Sequence, residues 1–163
     1  MIGSLFGQKK PSQDERILAR IKETVSSDSS LGMRVYRTKN GFRCLVTSRT
    51  FDPLSTESHD LLSRLGSDEQ YMKFCRVQEC YRARLSPKPW RCGVPRPPFR
   101  FPFSSPADEQ QYRAWEKESD ETVKSYSTCA VIGDFGSSSI HPEVESVLKL
   151  HDHFACEGDG PLS

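Results

Sequence analysis

No stretch of the 163-residue sequence approaches the ~18–20 uninterrupted apolar residues of a membrane-spanning helix, and Met1–Gly7 has neither the length nor the basic lead-in of a secretory signal. A soluble, cytoplasmic chain without a membrane partner is the expectation. Hydrophobic residues are scarce at 35%, against 28% charged, which leaves material for one modest core in a single domain. The G-x-x-x-x-G-K-[ST] loop that cradles phosphates is absent, as is the G-x-S-x-G nucleophile turn, so neither P-loop nucleotide hydrolysis nor elbow-type serine hydrolysis is encoded. Gly133-Asp134-Phe135-Gly136 contains a D-F-G triplet, but every other kinase signature is missing, and the triplet reads as a turn after a strand. Six cysteines are present, Cys44, Cys75, Cys80, Cys92, Cys129 and Cys156, and without a secretory signal they are expected as reduced thiols. The spacing of Cys75, Cys80 and Cys92 lacks the second close pair of a four-ligand zinc site, so neither a metal nor another cofactor is expected. His151 and His153 do not share a metal either, because a two-residue step on a helix turns ~200° and the rings diverge. His151 reads as a satisfied, partly buried histidine.

Charge is distributed unevenly along the chain. Residues 1–106 hold 19 Lys/Arg against 10 Asp/Glu and residues 107–163 hold 4 against 12, so parts of +9 and −8 make up the net +1. Either the basic part faces an anionic partner, or the acidic part neutralises it within the fold.

Ser12 and Glu15 form an S-x-x-E capping box ahead of Ile17, Leu18, Ile21 and Val25, which predicts a helix over about 12–27 after a flexible N-terminus, 1–11. Met33–Thr38 and Phe42–Ser48, separated by Lys39-Asn40-Gly41, predict a hairpin turning at Asn40-Gly41. Asp52-Pro53 ends the second strand. Leu54, Leu61, Leu62 and Leu65 line a helix stopped by Gly66, and Ser67 and Gln70 cap another carrying Tyr71, Phe74 and Cys75. Alternation over Cys80–Leu85 predicts a strand with Arg82 and Arg84 on one face. Seven of the eleven prolines fall within 87–106, so 86–106 is expected as an extended surface segment. A helix over about 107–124, a short strand at Ser127–Gly133, a helix from Pro142 with Val144, Val147, Leu148, His151 and Phe154 on one face, and a flexible tail at 157–163 complete the chain. This order gives an α+β fold: about four mostly antiparallel strands with helices packed largely on one face.

The basic run from Lys73 to Arg100 contains eight Lys/Arg and the single acid Glu79. Such a run binds polyanions by counterion release, and arginine adds a bidentate fork for phosphate. The candidate ligand-binding residues are Arg37 and Arg43 from the hairpin, Arg82 and Arg84 from the expected strand, and Lys88, Trp90 and Arg91 from the Pro-rich arm. Aromatic rings interleaved with cations suit single-stranded nucleic acid. The function expected is therefore recognition of a phosphate-bearing ligand or single-stranded nucleic acid, with no catalytic residue assigned. Alternatives are a small-molecule enzyme using the arginines as an anion clamp, and a protein-interaction module working through the acidic part or through Pro95-Arg96-Pro97-Pro98.

The stretch Tyr36-Arg37-Thr38-Lys39-Asn40-Gly41-Phe42-Arg43 through Arg49-Thr50-Phe51-Asp52-Pro53, followed by Cys80-Tyr81-Arg82-Ala83-Arg84-Leu85-Ser86-Pro87-Lys88-Pro89-Trp90-Arg91-Cys92-Gly93, resembles a bacterial family of uncharacterised proteins over roughly residues 33–93. The resemblance implies no established activity. Thr38 to Arg43 is also similar to the T-x-x-G-[YF]-H strand of archaeo-eukaryotic primase-like folds, with Arg43 in the place of the histidine and no D-x-D metal pair on a neighbouring strand.

Overall fold

The capping box forms as the spacing requires. Glu15 N donates to Ser12 Oγ at 3.2 Å, Ser12 N donates to Glu15 Oε2 at 2.6 Å, and α1 spans Gln13–Ser26. A computed structural model describes residues 10–156 and 160–163; residues 1–9 of the expected N-terminal tail and 157–159 of the C-terminal one lie outside the described residues. The chain is organised as two compact units, one comprising the residues up to Ser29 with Phe51–Tyr81, the other Ser30–Thr50 with Arg82–Ser163.

The first unit is helical. α1 buries Ile21, Thr24 and Val25 and packs against α2, Thr56–Leu65. Ser55 caps α2 at its start, and Gly66 ends it at φ 70°, a left-handed position where a side chain would also meet Arg20. The next helix, α3, spans Glu69–Val77; its cap is Asp68, which accepts from Tyr71 N at 2.9 Å, rather than Ser67. The helix closes on Glu79, a non-glycine residue at φ 51°, with Cys80 N donating to Cys75 O at 3.2 Å.

The second unit is built on an antiparallel sheet in the order β2-β1-β3, from β1 (Gly32–Thr38), β2 (Gly41–Val46) and β3 (Cys129–Gly136). The hairpin forms one residue earlier than expected. Thr38 pairs with Gly41, so Lys39 and Asn40 make the turn, and neither they nor Gly41 adopts positive φ. Gly32 is the glycine the sheet needs, because a Cβ there would collide with the Ser137 carbonyl and lie 2.8 Å from Thr47 Oγ1. The D-F-G residues belong to β3, where Arg34 pairs with Asp134 and a bulge falls between Val35 and Tyr36 of β1.

Three strands form among the described residues, not four: Cys80–Leu85 takes no place in the sheet. Side chains satisfy carbonyls there that a ladder would otherwise use, Arg43 Nη1 donating to Arg84 O at 3.0 Å and Thr128 Oγ1 to Leu85 O at 3.1 Å.

The remaining helices are α4, Pro106–Val123, and α5, Pro142–Cys156, which packs against β3. α5 buries Val144, Leu148, His151 and Ala155, one stripe at helical spacing; Val147 and Phe154, expected on that stripe, are 55% and 56% exposed. The Pro-rich segment is irregular apart from a 3-10 turn at Pro89–Arg91. Trp115 Nε1 donates to Pro95 O at 2.9 Å, and the Phe103 ring packs at a tilt against Tyr112 with centroids 5.2 Å apart, so aromatic side chains hold the segment to α4. Residues 161–163 run beside Ser127, with Ser127 N donating to Pro161 O and Ser163 N to Ser127 O.

Candidate functional site

Residues opposite one another in an antiparallel pair share a face, so the register sorts the hairpin arginines. Arg43 lies opposite Tyr36, and Leu45 opposite Arg34, on the face covered by α5; Arg37 lies opposite Phe42 on the other face, its guanidinium 4.9 Å from the Phe42 ring centroid. Arg37 and Arg43 therefore do not belong to one site. Arg43 turns inward, donating through Nη1 to His151 Nε2 at 2.7 Å as well as to Arg84 O.

The residues that do gather on the outside are Arg84, Lys88, Trp90 and Arg91. Lys88 Nζ sits 5.6 Å from the Trp90 ring centroid, and Trp90 is 62% exposed. With the Asn40 amide oriented to satisfy its hydrogen bonds, its oxygen accepts from Arg91 Nη2 at 3.0 Å, which ties this arginine to the hairpin turn. The Lys88 ammonium is held below its ordinary pKa by partial burial and by the neighbouring charges of Arg91 and Arg84. Among the described residues, no carboxylate forms an ion pair with Arg84, Lys88 or Arg91. The acids of α4 instead bridge cations on or just beyond the same helix, Glu109 and Glu116 to Arg113 and Glu121 to Lys124. Arg82 is exposed on the same extended segment, without the strand that would have aligned it with Arg84. None of these seven arm and hairpin residues lines the groove of about 820 Å³ between α2 and α3, which is bounded by Leu54, His59, Met72 and Val77.

A second constellation is buried beneath α5. His151 is 3% exposed, and its ring lies 4.5 Å from that of Tyr36, which is wholly buried. A guanidinium can only donate, so His151 Nε2 is the acceptor for Arg43 and the ring proton sits on Nδ1, which donates to Asp152 Oδ1 at 3.2 Å. Burial, with the Arg43 charge, keeps His151 below its ordinary pKa against the opposing pull of Asp152. Asp152 also accepts from Tyr36 Oη at 2.6 Å and from Arg34 Nη1 at 2.7 Å. Burial alone would raise the pKa of this carboxyl; the three hydrogen bonds override it and hold the group below its usual value. Arg34 is locked in turn by a two-pronged pair with Asp134, both contacts at 2.7 Å.

Two thiols complete the cluster. Cys129 Sγ lies 3.6 Å from Cys156 Sγ and 4.0 Å from His151 Nε2. Burial raises the pKa of both, that of Cys156 to about 12, so both are protonated near neutral pH. All six cysteines are free, and the donor groups that converge are Cys129, His151 and Cys156, a set the short cysteine spacings did not indicate. The sequence holds only a faint signal for it: His151 and Cys156 are five residues apart on one helix, but Cys129 is 22 residues away in another element.

No family model, curated protein or solved structure matches the chain. Among the described residues, no helix is long and apolar enough to cross a membrane.

Proposed function

We propose that the second unit binds a phosphate-bearing polymer, single-stranded nucleic acid, on the surface formed by Arg84, Lys88, Trp90 and Arg91. The observation that carries this reading is the grouping of Arg84 and Arg91 near Lys88, with no paired carboxylate among the described residues, and the exposed Trp90 indole beside the Lys88 ammonium. Phosphate neutralisation supplies affinity that salt weakens, and a base stacked on the indole supplies affinity that salt does not touch. The half-buried Arg43 contributes by fixing the Arg84 backbone rather than by contacting ligand.

The test is fluorescence anisotropy with short labelled single-stranded oligonucleotides at two salt concentrations. Three phosphate contacts correspond to a salt slope of about −2, so affinity should fall ~20-fold between roughly 50 and 200 mM salt. Trp90→Ala should weaken binding by about 5- to 150-fold with the salt slope retained, and Lys88→Ala should lower the slope by about 0.7. Absence of binding at low salt, or a Trp90→Ala variant that binds like the parent, refutes the reading. A small phosphorylated ligand bound with little salt response would support the anion-clamp alternative instead.

A further inference from the structure

We propose that Cys129, Cys156 and His151 bind a zinc ion through their two sulfurs and Nε2, with Asp152 orienting the histidine from behind. The three donor atoms all lie within 4.8 Å of one another, with sulfurs 3.6 Å apart and Cys129 Sγ 4.0 Å from His151 Nε2. Tetrahedral zinc, with bonds of about 2.3 Å to sulfur and 2.0–2.1 Å to nitrogen, needs ligand separations of roughly 3.5–3.8 Å. The Cys129–Cys156 and Cys129–His151 separations need changes of a few tenths of an ångström, and the remaining Cys156–His151 pair closes by at most about 1.2 Å, within the reach of side-chain rotation. The ligands also stand on regular elements, Cys129 at the start of β3 and His151 and Cys156 in the last turns of α5.

The histidine tautomer suits a metal ligand. Nδ1 carries the proton and spends it on Asp152, which leaves Nε2 unprotonated, accepting from Arg43 and 4.0 Å from Cys129 Sγ. A carboxylate behind a ligating histidine is the usual outer support of protein metal sites, and here it is itself held by Tyr36 and Arg34. Two sulfurs and an imidazole nitrogen select zinc over magnesium or calcium, which prefer oxygen.

Arg43 has more acceptors at one nitrogen than it can serve. Its Nη1 carries two hydrogens but is surrounded by three acceptors, His151 Nε2, Arg84 O and, at 3.8 Å, Cys129 Sγ. A metal on Nε2 relieves this excess: Arg43 gives up the histidine and keeps the carbonyl and a sulfur that is now a thiolate. Binding balances as one Zn²⁺ taken up and two thiol protons released, giving an electrically neutral group of metal and two thiolates, which a buried position tolerates better than a bare cation. Three protein donors leave the fourth zinc position to water or an outside ligand.

The experiment uses the full chain, reduced with a phosphine and stripped by a chelator. One equivalent of Co²⁺ should produce thiolate-to-cobalt charge-transfer absorption and the intense visible bands of a tetrahedral site, and one equivalent of Zn²⁺ should abolish both, with two protons released to a weakly buffered dye. Cys156→Ser, at a half-buried position, should weaken zinc binding by more than ~100-fold, since loss of an outer-shell partner alone costs 10- to 100-fold. Cys44→Ser, on the opposite face of the sheet, should leave affinity unchanged. No charge-transfer band at one equivalent, or a band that survives Cys156→Ser, overturns the proposal.

Discussion

Replacing Asp152 with alanine should destabilise the second unit by about 3 kcal/mol, within a range of 2–5. The carboxylate accepts three hydrogen bonds, and its removal affects each donor differently. Tyr36 Oη and His151 Nδ1–H belong to side chains that are essentially inaccessible, so each loses its partner at a cost of about 1–3 kcal/mol. Arg34 loses least, because both prongs on Asp134 remain. Asp152 itself is 26% exposed, so water entering the vacated space offsets part of the penalty, which places the expectation in the lower half of the range. Urea unfolding followed by tryptophan fluorescence reads this unit specifically, since Trp90 and Trp115 are the only tryptophans and both lie in it. A cycle with Tyr36→Phe isolates the shared bond: Asp152→Ala should cost 0.5–3 kcal/mol less in the phenylalanine background than in the parent. A loss below about 1 kcal/mol at unchanged m-value, or strict additivity with Tyr36→Phe, would show that the network is not a stabilising unit.

Stability should also depend on pH in a window set by His151. Its folded pKa lies below the unfolded value of about 6.5, so between the two the unfolded chain binds a proton that the folded one refuses; stability therefore declines as pH falls through 6.5 and levels off below the folded pKa, and His151→Gln should flatten that part of a pH-resolved melting series. Asp152 acts in the same direction at lower pH, losing its contribution as pH falls below about 3.9. Gly32→Ala should cost about 1–3 kcal/mol in denaturant unfolding because the Ser137 carbonyl cannot yield without moving backbone, whereas Gly41→Ala, with nothing within 4 Å and ordinary φ, should fall within ~0.5–1 kcal/mol of the parent; equal effects would contradict the packing argument. Glu79→Gly should stabilise by up to ~1 kcal/mol by relieving the left-handed residue that ends α3, and a destabilised variant would show that the glutamate side chain outweighs its backbone strain.

Local signals in the sequence translated well where one element decides its own boundary. The Ser12–Glu15 box, the Gly66 stop and the Asn40-containing hairpin all depend on bonds within a few residues, and all form. Alternation over Cys80–Leu85 was equally clear but describes only the chain's own half of a strand. The other half is a neighbour with free carbonyls and amides, and here the Arg43 and Thr128 side chains occupy that role. The stripe on α5 failed differently: Val147 and Phe154 are apolar and near in sequence to the buried positions, yet one helical step to the side is enough to leave them exposed. The Cys129–His151–Cys156 cluster was illegible because its proximity comes from β3 packing on α5, a contact that no spacing within either element encodes.

Arg43 shows why composition misplaces a residue whose partners are remote. In a basic run on an amphipathic hairpin an arginine reads as part of the ligand surface, and five guanidinium donors on a long stem are usually spent on solvent or phosphate. Tyr36 directly across the strand pair commits its face to α5, so the guanidinium must find acceptors inside, and a histidine nitrogen, a backbone carbonyl and a sulfur are what that face offers. One of those acceptors is the carbonyl of Arg84, whose side chain stands outside with Lys88 and Arg91. The buried cluster and the basic surface are thereby joined through a single nitrogen. Because that nitrogen has two hydrogens, it can release His151 to a metal and still hold Arg84, so the position of the surface arginine is preserved whether the cluster is filled by guanidinium or by zinc.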